Sequence, residues 1–210
     1  MNLRRIALLS LVLACGSGTS AFGQAEAPPT PAPANGSRLE LPKGATAAIV
    51  VFEDLQCPDC KAMHPQLLAA AKVNTVPLVI HDFPIQRHAW AFPAAVLARY
   101  FTAQSSELGL LFRSAVFEYQ ADINSDNLRE FAEQFAAAHQ VVLPPVVDPD
   151  GKLKDGVQAD YDFGIAIGLQ YVPLVFVIGP GQGAAHWVEV TDPKNIPDAI
   201  AKLRSAAPHR

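Results

Sequence analysis

Ala47-Ala48-Ile49-Val50-Val51-Phe52-Glu53-Asp54-Leu55-Gln56-Cys57-Pro58-Asp59-Cys60 carries an apolar run of strand length into a pair of cysteines. Ala47 to Phe52 is continuously apolar, the pattern of a central strand covered on both faces. Lys61 to Lys72 has helical periodicity, and Pro58 falls in the first turn, where a missing N–H costs nothing. Cys57 is thereby placed at a helix N-terminus, where unpaired backbone N–H groups and the macrodipole favour an anion. Its thiol is expected to ionise more readily than a free one and to act as a nucleophile. Cys60 follows one helical turn on, close enough to close a small disulfide ring, so the pair can cycle between dithiol and disulfide.

Downstream, Pro65 removes a hydrogen bond to the Lys61 carbonyl and is expected to kink the helix. Val76 to His81 is a second strand, closed by Asp82-Phe83-Pro84. Three helical patterns follow, Ala89 to Ala103, Leu108 to Tyr119 and Asp126 to His139, the last with Ser125 or Asp126 available as a cap. They form a helical insert over about residues 88–145. A proline-rich loop, Val141 to Asp150, leads to a helix from Lys154 to Leu169 that is weakened by Gly156, Gly164 and Gly168. Leu174 to Ile178 and His186 to Val190, separated by Gly179-Pro180-Gly181-Gln182-Gly183, read as a hairpin. Asp192 or Pro193 then opens a final amphipathic helix to about Ser205. Strand, helix, strand, helical insert, helix, hairpin, helix is the order of an α/β fold, a mixed sheet flanked by helices.

Upstream, residues 1–23 have the form of a secretory signal. Arg4 and Arg5 supply the positive segment, Ile6 to Ala14 the apolar core, and Ala21-Phe22-Gly23 a small-x-small cleavage site. The apolar run falls short of the roughly 20 residues a spanning helix needs. Val12-Leu13-Ala14-Cys15 partly resembles a bacterial lipobox, but Leu13 is a poor residue at its position, so soluble export is favoured over a lipid anchor through Cys15. Residues 24–38, rich in proline and alanine, read as a disordered tether, and one domain occupies 39–205.

Composition narrows the function classes. Of 210 residues half are hydrophobic and 17% charged, with a formal net charge of -4 and no basic patch, which removes any general case for binding nucleic acid or an anionic membrane. With Cys15 in the export segment, the mature chain keeps only Cys57 and Cys60, too few for a disulfide-stapled scaffold.

Taken together these residues resemble the thioredoxin superfamily, and within it the exported DsbA-like proteins, whose thioredoxin core is interrupted by a helical domain. The apolar strand, Asp54 three residues before Cys57, the Cys57-Pro58-Asp59-Cys60 pair, Pro65, Asp82-Phe83-Pro84 and Val172-Pro173 ahead of Leu174 carry the resemblance. It implies a thioredoxin-like fold, a cis-proline at Pro173 facing the cysteines, and exchange in which Cys57 forms a mixed disulfide with a client protein and Cys60 resolves it. Pro58, Asp59, Asp54 and Val172 become supporting residues, and Val172, Pro173 and Leu174 a client-binding segment. The chain departs from the family in having Val51 where a buried acid commonly stands six residues before the first cysteine, which leaves Glu53 as a candidate substitute. Leu174 replaces a common threonine, and Asp59 stands where the strongest family oxidants have histidine.

The expected activity is that of a protein thiol-disulfide oxidoreductase, a DsbA-like oxidase of moderate potential in the periplasm or cell envelope. Asp59 is expected to oppose the Cys57 thiolate and make the oxidant milder. No cofactor is expected beyond the redox-active Cys57–Cys60 disulfide and no metal. The expected partners are cysteine-containing clients and a second protein that resets the disulfide, with the chain a monomer. Reductase and isomerase directions use the same pair. A copper-binding alternative rests on Cys57, Cys60, Met63 and His64 as soft ligands, and Pro58 and the cis-proline argue against it, since metal binding needs neither. His64 is read as a solvated residue of minor role and Met63 as packing. Asp54 and Glu53 are read as proton shuttles or solvated strand-end charges, and His88, Trp90 and Phe92 as groove or core.

Overall fold

The computed structural model describes residues 39–181 and 186–205. The segments read as a secretory signal and a tether, with Cys15, lie outside the described residues. Strand β1 (Ala48–Glu53) leads into helix α1 (Pro58–Asn74) and strand β2 (Leu78–Asp82). Helices α2 (Ala91–Gln104), α3 (Ser106–Glu118) and α4 (Leu128–Ala138) form the insert, followed by α5 (Lys152–Ala166), β3 (Leu174–Ile178), β4 (Trp187–Glu189) and α6 (Ile196–Ser205). The sheet order is β2-β1-β3-β4, with β1 parallel to β2 and β3 antiparallel to both β1 and β4. Among the described residues no helix is long and apolar enough to cross a membrane.

All six residues of β1 are buried because helices cover both faces of the sheet. On one face Ile49 and Val51 pack with Leu67 of α1 and Ile196, Ile200 and Leu203 of α6. On the other, Val50 and Phe52 join Phe101, Phe112 and Phe135 of the insert and Phe163 of α5. Phe52 is fully buried, edge-on to Phe176 and stacked on His81 at 4.8 Å between centroids. Each such side chain contributes about 1.5–3 kcal/mol on burial, so β1 is the element on which the two layers are built.

A chain of buried charges ties the insert to this sheet. Glu53 of β1 accepts from Arg113 of α3 at 3.1 Å, and Arg113 also donates to Asp82 of β2 at 2.6 Å. Arg99 of α2 donates to Asp82 at 2.6 Å and to Asp160 of α5, which in turn pairs with His81 Nδ1 at 2.8 Å. The register places Glu53 opposite Asp82, so two like charges meet across the strands and the guanidiniums offset them. Breaking such a group costs far more than its formation contributes, since a buried charge would be left uncompensated.

Local differences from the sequence reading have identifiable causes. Strand β2 starts at Leu78 rather than Val76, because Pro77 has no N–H for the ladder and offers only its carbonyl, which accepts from Ile49 N–H at 2.9 Å. Neither Ser125 nor Asp126 caps α4. Asn127 occupies the cap position, and Asn124 Oδ1 accepts the N–H groups of Asp126 and Asn127 at 2.9 and 3.2 Å. Pro65 is exposed and α1 continues through it. Gly164 keeps its place in α5 because a Cβ there would lie 2.5 Å from the Phe83 ring.

Candidate active site

Cys57 is the N-cap residue of α1, in an extended conformation (φ -82°, ψ 124°), with Pro58 in the first turn. The preceding turn is closed by Cys57 N–H donating to Asp54 O at 3.0 Å, and Gln120 Nε2 braces it by donating to the carbonyls of Leu55 and Cys57 at 2.8 and 3.1 Å. Cys60, one turn into α1, is 1% exposed and its sulfur accepts from Asp54 N–H at 3.4 Å. Both cysteines are thiols here.

Their acidities separate. The Cys57 thiol is lowered to about 6, first by a hydrogen bond from the Cys60 thiol and then by the backbone N–H groups of Cys60 and Asp59, against burial and the Asp54 charge. The Cys60 thiol is pushed far above its ordinary value by burial, by its bond to Cys57 and by the nearby charges of Cys57 and Glu53. At neutral pH the pair therefore holds one thiolate, at Cys57, and one proton, at Cys60. The side chain of Asp59 is exposed, and the carboxylate acting against the thiolate is that of Asp54.

The Val172–Pro173 peptide is cis, and Val172 O lies 3.8 Å from Cys57 Sγ, a weak S–H···O contact that only the protonated thiol can make. Val172 lines a cavity of about 510 Å³ together with Cys57, Asp59, His88 and the apolar Phe83, Ile85 and Ile165. Leu174 is different. It is the first residue of β3, 3% exposed, and its side chain belongs to the core, so of the expected client-binding segment only Val172 reaches the cavity wall and Pro173 sits half-buried beside it.

Three charged or polar residues occupy other places than expected. His64 is buried, not solvated: it lies on the same face of α1 as Cys60 and Leu67, hydrogen-bonds Ser114 Oγ through Nε2 at 2.9 Å and turns Nδ1 toward Glu53 at 3.7 Å. It is thus committed away from the cysteines, while Met63 packs with the α1–α6 core, and among the described residues no cluster of three His, Cys, Asp or Glu could hold a metal. Glu53 and Asp54 are only 2% and 1% exposed, so neither is a solvated strand-end charge. Because β1 continues through Glu53, alternation puts its side chain on the face of Val51. Burial alone would raise its pKa, but His64 and Arg113 hold its carboxyl below the ordinary 4.5. Glu53 is therefore a fixed charge and a poor store for the Cys60 proton. Trp90 is buried core and Phe92 half-buried.

Residues 42–179 match the family model described as Thioredoxin. The chain belongs to the thioredoxin family. Within that family its fold is DsbA-like. Over 81% of this chain and 96% of its own, α-DsbA1 of Wolbachia pipientis superposes with a TM-score of 0.62 at 18% identity. DsbA2 of Pseudomonas aeruginosa gives 0.59 at 18% identity, over 79% of this chain and 92% of its own. The thiol-disulfide exchange protein α-DsbA2 of Wolbachia pipientis gives 0.60 at 15% identity, over 78% and 85%. At these identities the likeness is one of fold. No curated protein sequence matches the chain.

The sequence reading passed over Arg113, Arg99 and Gln120. A signal existed for Arg113: it stands on the stripe Gly109, Phe112, Val116 and Phe117 that α3 buries, where a lone arginine requires a buried acid. Gln120 and Arg99 offer no such pattern.

Proposed function

We propose that the protein is an exported thiol-disulfide oxidoreductase that oxidises client cysteines, a DsbA-like oxidase of moderate potential. The observation that carries this reading is the division of roles in the pair: an acidic thiol at Cys57 opening on a cavity walled by Val172, and a buried, proton-holding thiol at Cys60. In the oxidised protein a client thiolate attacks Cys57 Sγ, the Cys57–Cys60 bond breaks and its electron pair goes to Cys60. A second client thiolate then attacks the client sulfur of the mixed disulfide, and Cys57 leaves as the thiolate. The client loses two electrons and the cysteine pair gains them. A second protein returns the pair to the disulfide.

A Cys57 acidity of about 6 makes it a better leaving group than an ordinary thiol, and the opposing Asp54 charge limits the effect, which supports a potential between about -120 and -270 mV. Equilibration with glutathione measures it, and a value at the strongly oxidising end would contradict the moderate poise. The apolar part of the cavity wall fits clients presented as extended segments with apolar side chains next to cysteine. The secretory pattern of residues 1–23 supports export to a compartment where disulfides persist, and N-terminal sequencing of the mature chain is expected to begin after Gly23.

The direct test is trapping. With Cys60→Ala, clients are expected to accumulate as mixed disulfides on Cys57, and their identity reports the direction of exchange. Absence of any adduct in cells where the variant is folded and exported would overturn the reading.

A further inference from the structure

His88 stands half-buried in the loop between β2 and α2 and forms part of the cavity wall that also holds Cys57 and Val172. Its Nδ1 lies 2.8 Å from Asp54 Oδ2, and the Asp54 side chain is fully buried. Asp54 is held from both sides: Oδ1 accepts Gln56 N–H and Oδ2 accepts Ile85 N–H, each at 2.6 Å. A carboxylate so engaged is an acceptor, which makes Nδ1 of His88 the donor and leaves the lone pair of the neutral ring on Nε2. Among the described residues Nε2 has no hydrogen-bond partner. A buried carboxylate that orients an imidazole, with the other ring nitrogen unpaired on a residue of the cavity wall that also includes the nucleophilic Cys57, is an arrangement suited to proton transfer.

We propose that His88 is a catalytic acid–base residue that exchanges a proton with the client sulfur at Cys57, and that Asp54 is its positioning residue. This rests on the oxidoreductase reading above. In the oxidising direction Nε2 takes the proton from the client S–H, the client sulfur bonds to Cys57 Sγ, the Cys57–Cys60 bond breaks, and its electron pair goes to Cys60, which takes up a proton from solvent. The imidazolium then returns its proton to solvent. In reverse, the imidazolium protonates the departing client thiolate. The charged and titratable groups that share the cavity wall with the ring are Cys57 and Asp59 from the start of α1, Tyr161 from α5 and Arg87 from its own loop, and Asp54, one residue past β1, holds its Nδ1. None but Asp54 hydrogen-bonds it.

The test compares two clients, a dithiol peptide and the same peptide with the attacking cysteine replaced by selenocysteine, whose selenol is already ionised and needs no base. Oxidation of each by the oxidised protein is followed by stopped flow over about pH 5 to 9, the span in which imidazole and thiol groups titrate. His88→Asn keeps a donor for Asp54 but loses the titrating ring, and His88→Gln is the second variant. At neutral pH the thiol client is expected to slow on the order of tenfold to a hundredfold, the low end of acid–base effects because thiols ionise readily. Its rate is then expected to climb toward the wild-type rate as the client thiol itself ionises at about pH 8.5. The selenol client is expected to react with both variants at the wild-type rate. Equal loss with both clients, the mark of a structural role or a damaged fold, overturns the proposal, as does no loss with either. Failure of the wild-type protein to oxidise either client would instead sink the oxidoreductase reading itself.

Discussion

Glu53 and Asp54 are consecutive, acidic and almost equally buried, yet the last turn of the strand sends them to opposite duties. Glu53, still inside β1, points to the side of Val51 and enters the ion-paired cluster of Arg113, Asp82, Arg99 and Asp160. Asp54, one residue past the strand, holds the loop that carries His88 and acts on the Cys57 thiolate. The first region is a scaffold in which each charge is fixed by another; the second is a site in which a charge sets the behaviour of a sulfur and an imidazole. Burial by itself does not distinguish them. What does is whether a fixed cation faces the carboxylate.

Removing the cation is therefore the change expected to do most harm. Arg113→Met leaves Glu53 buried with no guanidinium partner and Asp82 with Arg99 alone, and is expected to cost about 3–5 kcal/mol, read from the denaturant midpoint. Combining it with Glu53→Gln is expected to cost less than the sum of the two single changes, because the pair is coupled. Gly164→Ala comes next, at about 1–3 kcal/mol, because the new Cβ would press on the Phe83 ring that walls the cavity. Asp54→Asn is expected to cost about 1–3 kcal/mol, because its amide leaves a buried N–H without an acceptor, and to act on chemistry as well: with its opposing charge gone, the Cys57 thiol becomes more acidic than about 6, seen in the ultraviolet absorbance of the thiolate against pH.

Acid acts on the first of these regions. The folded-state pKa values of Glu53 and Asp160 lie below their ordinary values of 4.5 and 3.8, so the folded protein binds these protons less readily than the unfolded chain. Their stabilisation is present in full above the ordinary values and is lost as pH falls through the lowered ones. Denaturant midpoints are expected to drop from about pH 4.5 downward, less steeply in Glu53→Gln.

The parts of this molecule carried by contiguous patterns were legible in its sequence. The run Ala47 to Phe52 has the character of a doubly covered strand, Cys57 to Cys60 that of a helix-start redox pair, and Val172-Pro173 was readable through the family resemblance. His64 was misread although it sits on one stripe with Cys60 and Leu67, positions i, i+4 and i+7 counted from Cys60 within α1, which is the periodicity of a buried face. The charge cluster was not legible, because its members come from β1, β2, α2, α3 and α5 and meet only when the insert closes on the sheet. The Asp54–His88 contact spans 34 residues and depends on the turn after β1, which no local pattern specifies.

The division of labour between Cys57 and Cys60 is tested most directly by alkylating the reduced protein over a range of pH and locating the label by mass spectrometry. Labelling is expected at Cys57 alone, with a rate half-maximal near pH 6 and Cys60 untouched throughout. A rate that goes on rising to about pH 8.5, the value of a free thiol, or label appearing first on Cys60, would contradict it.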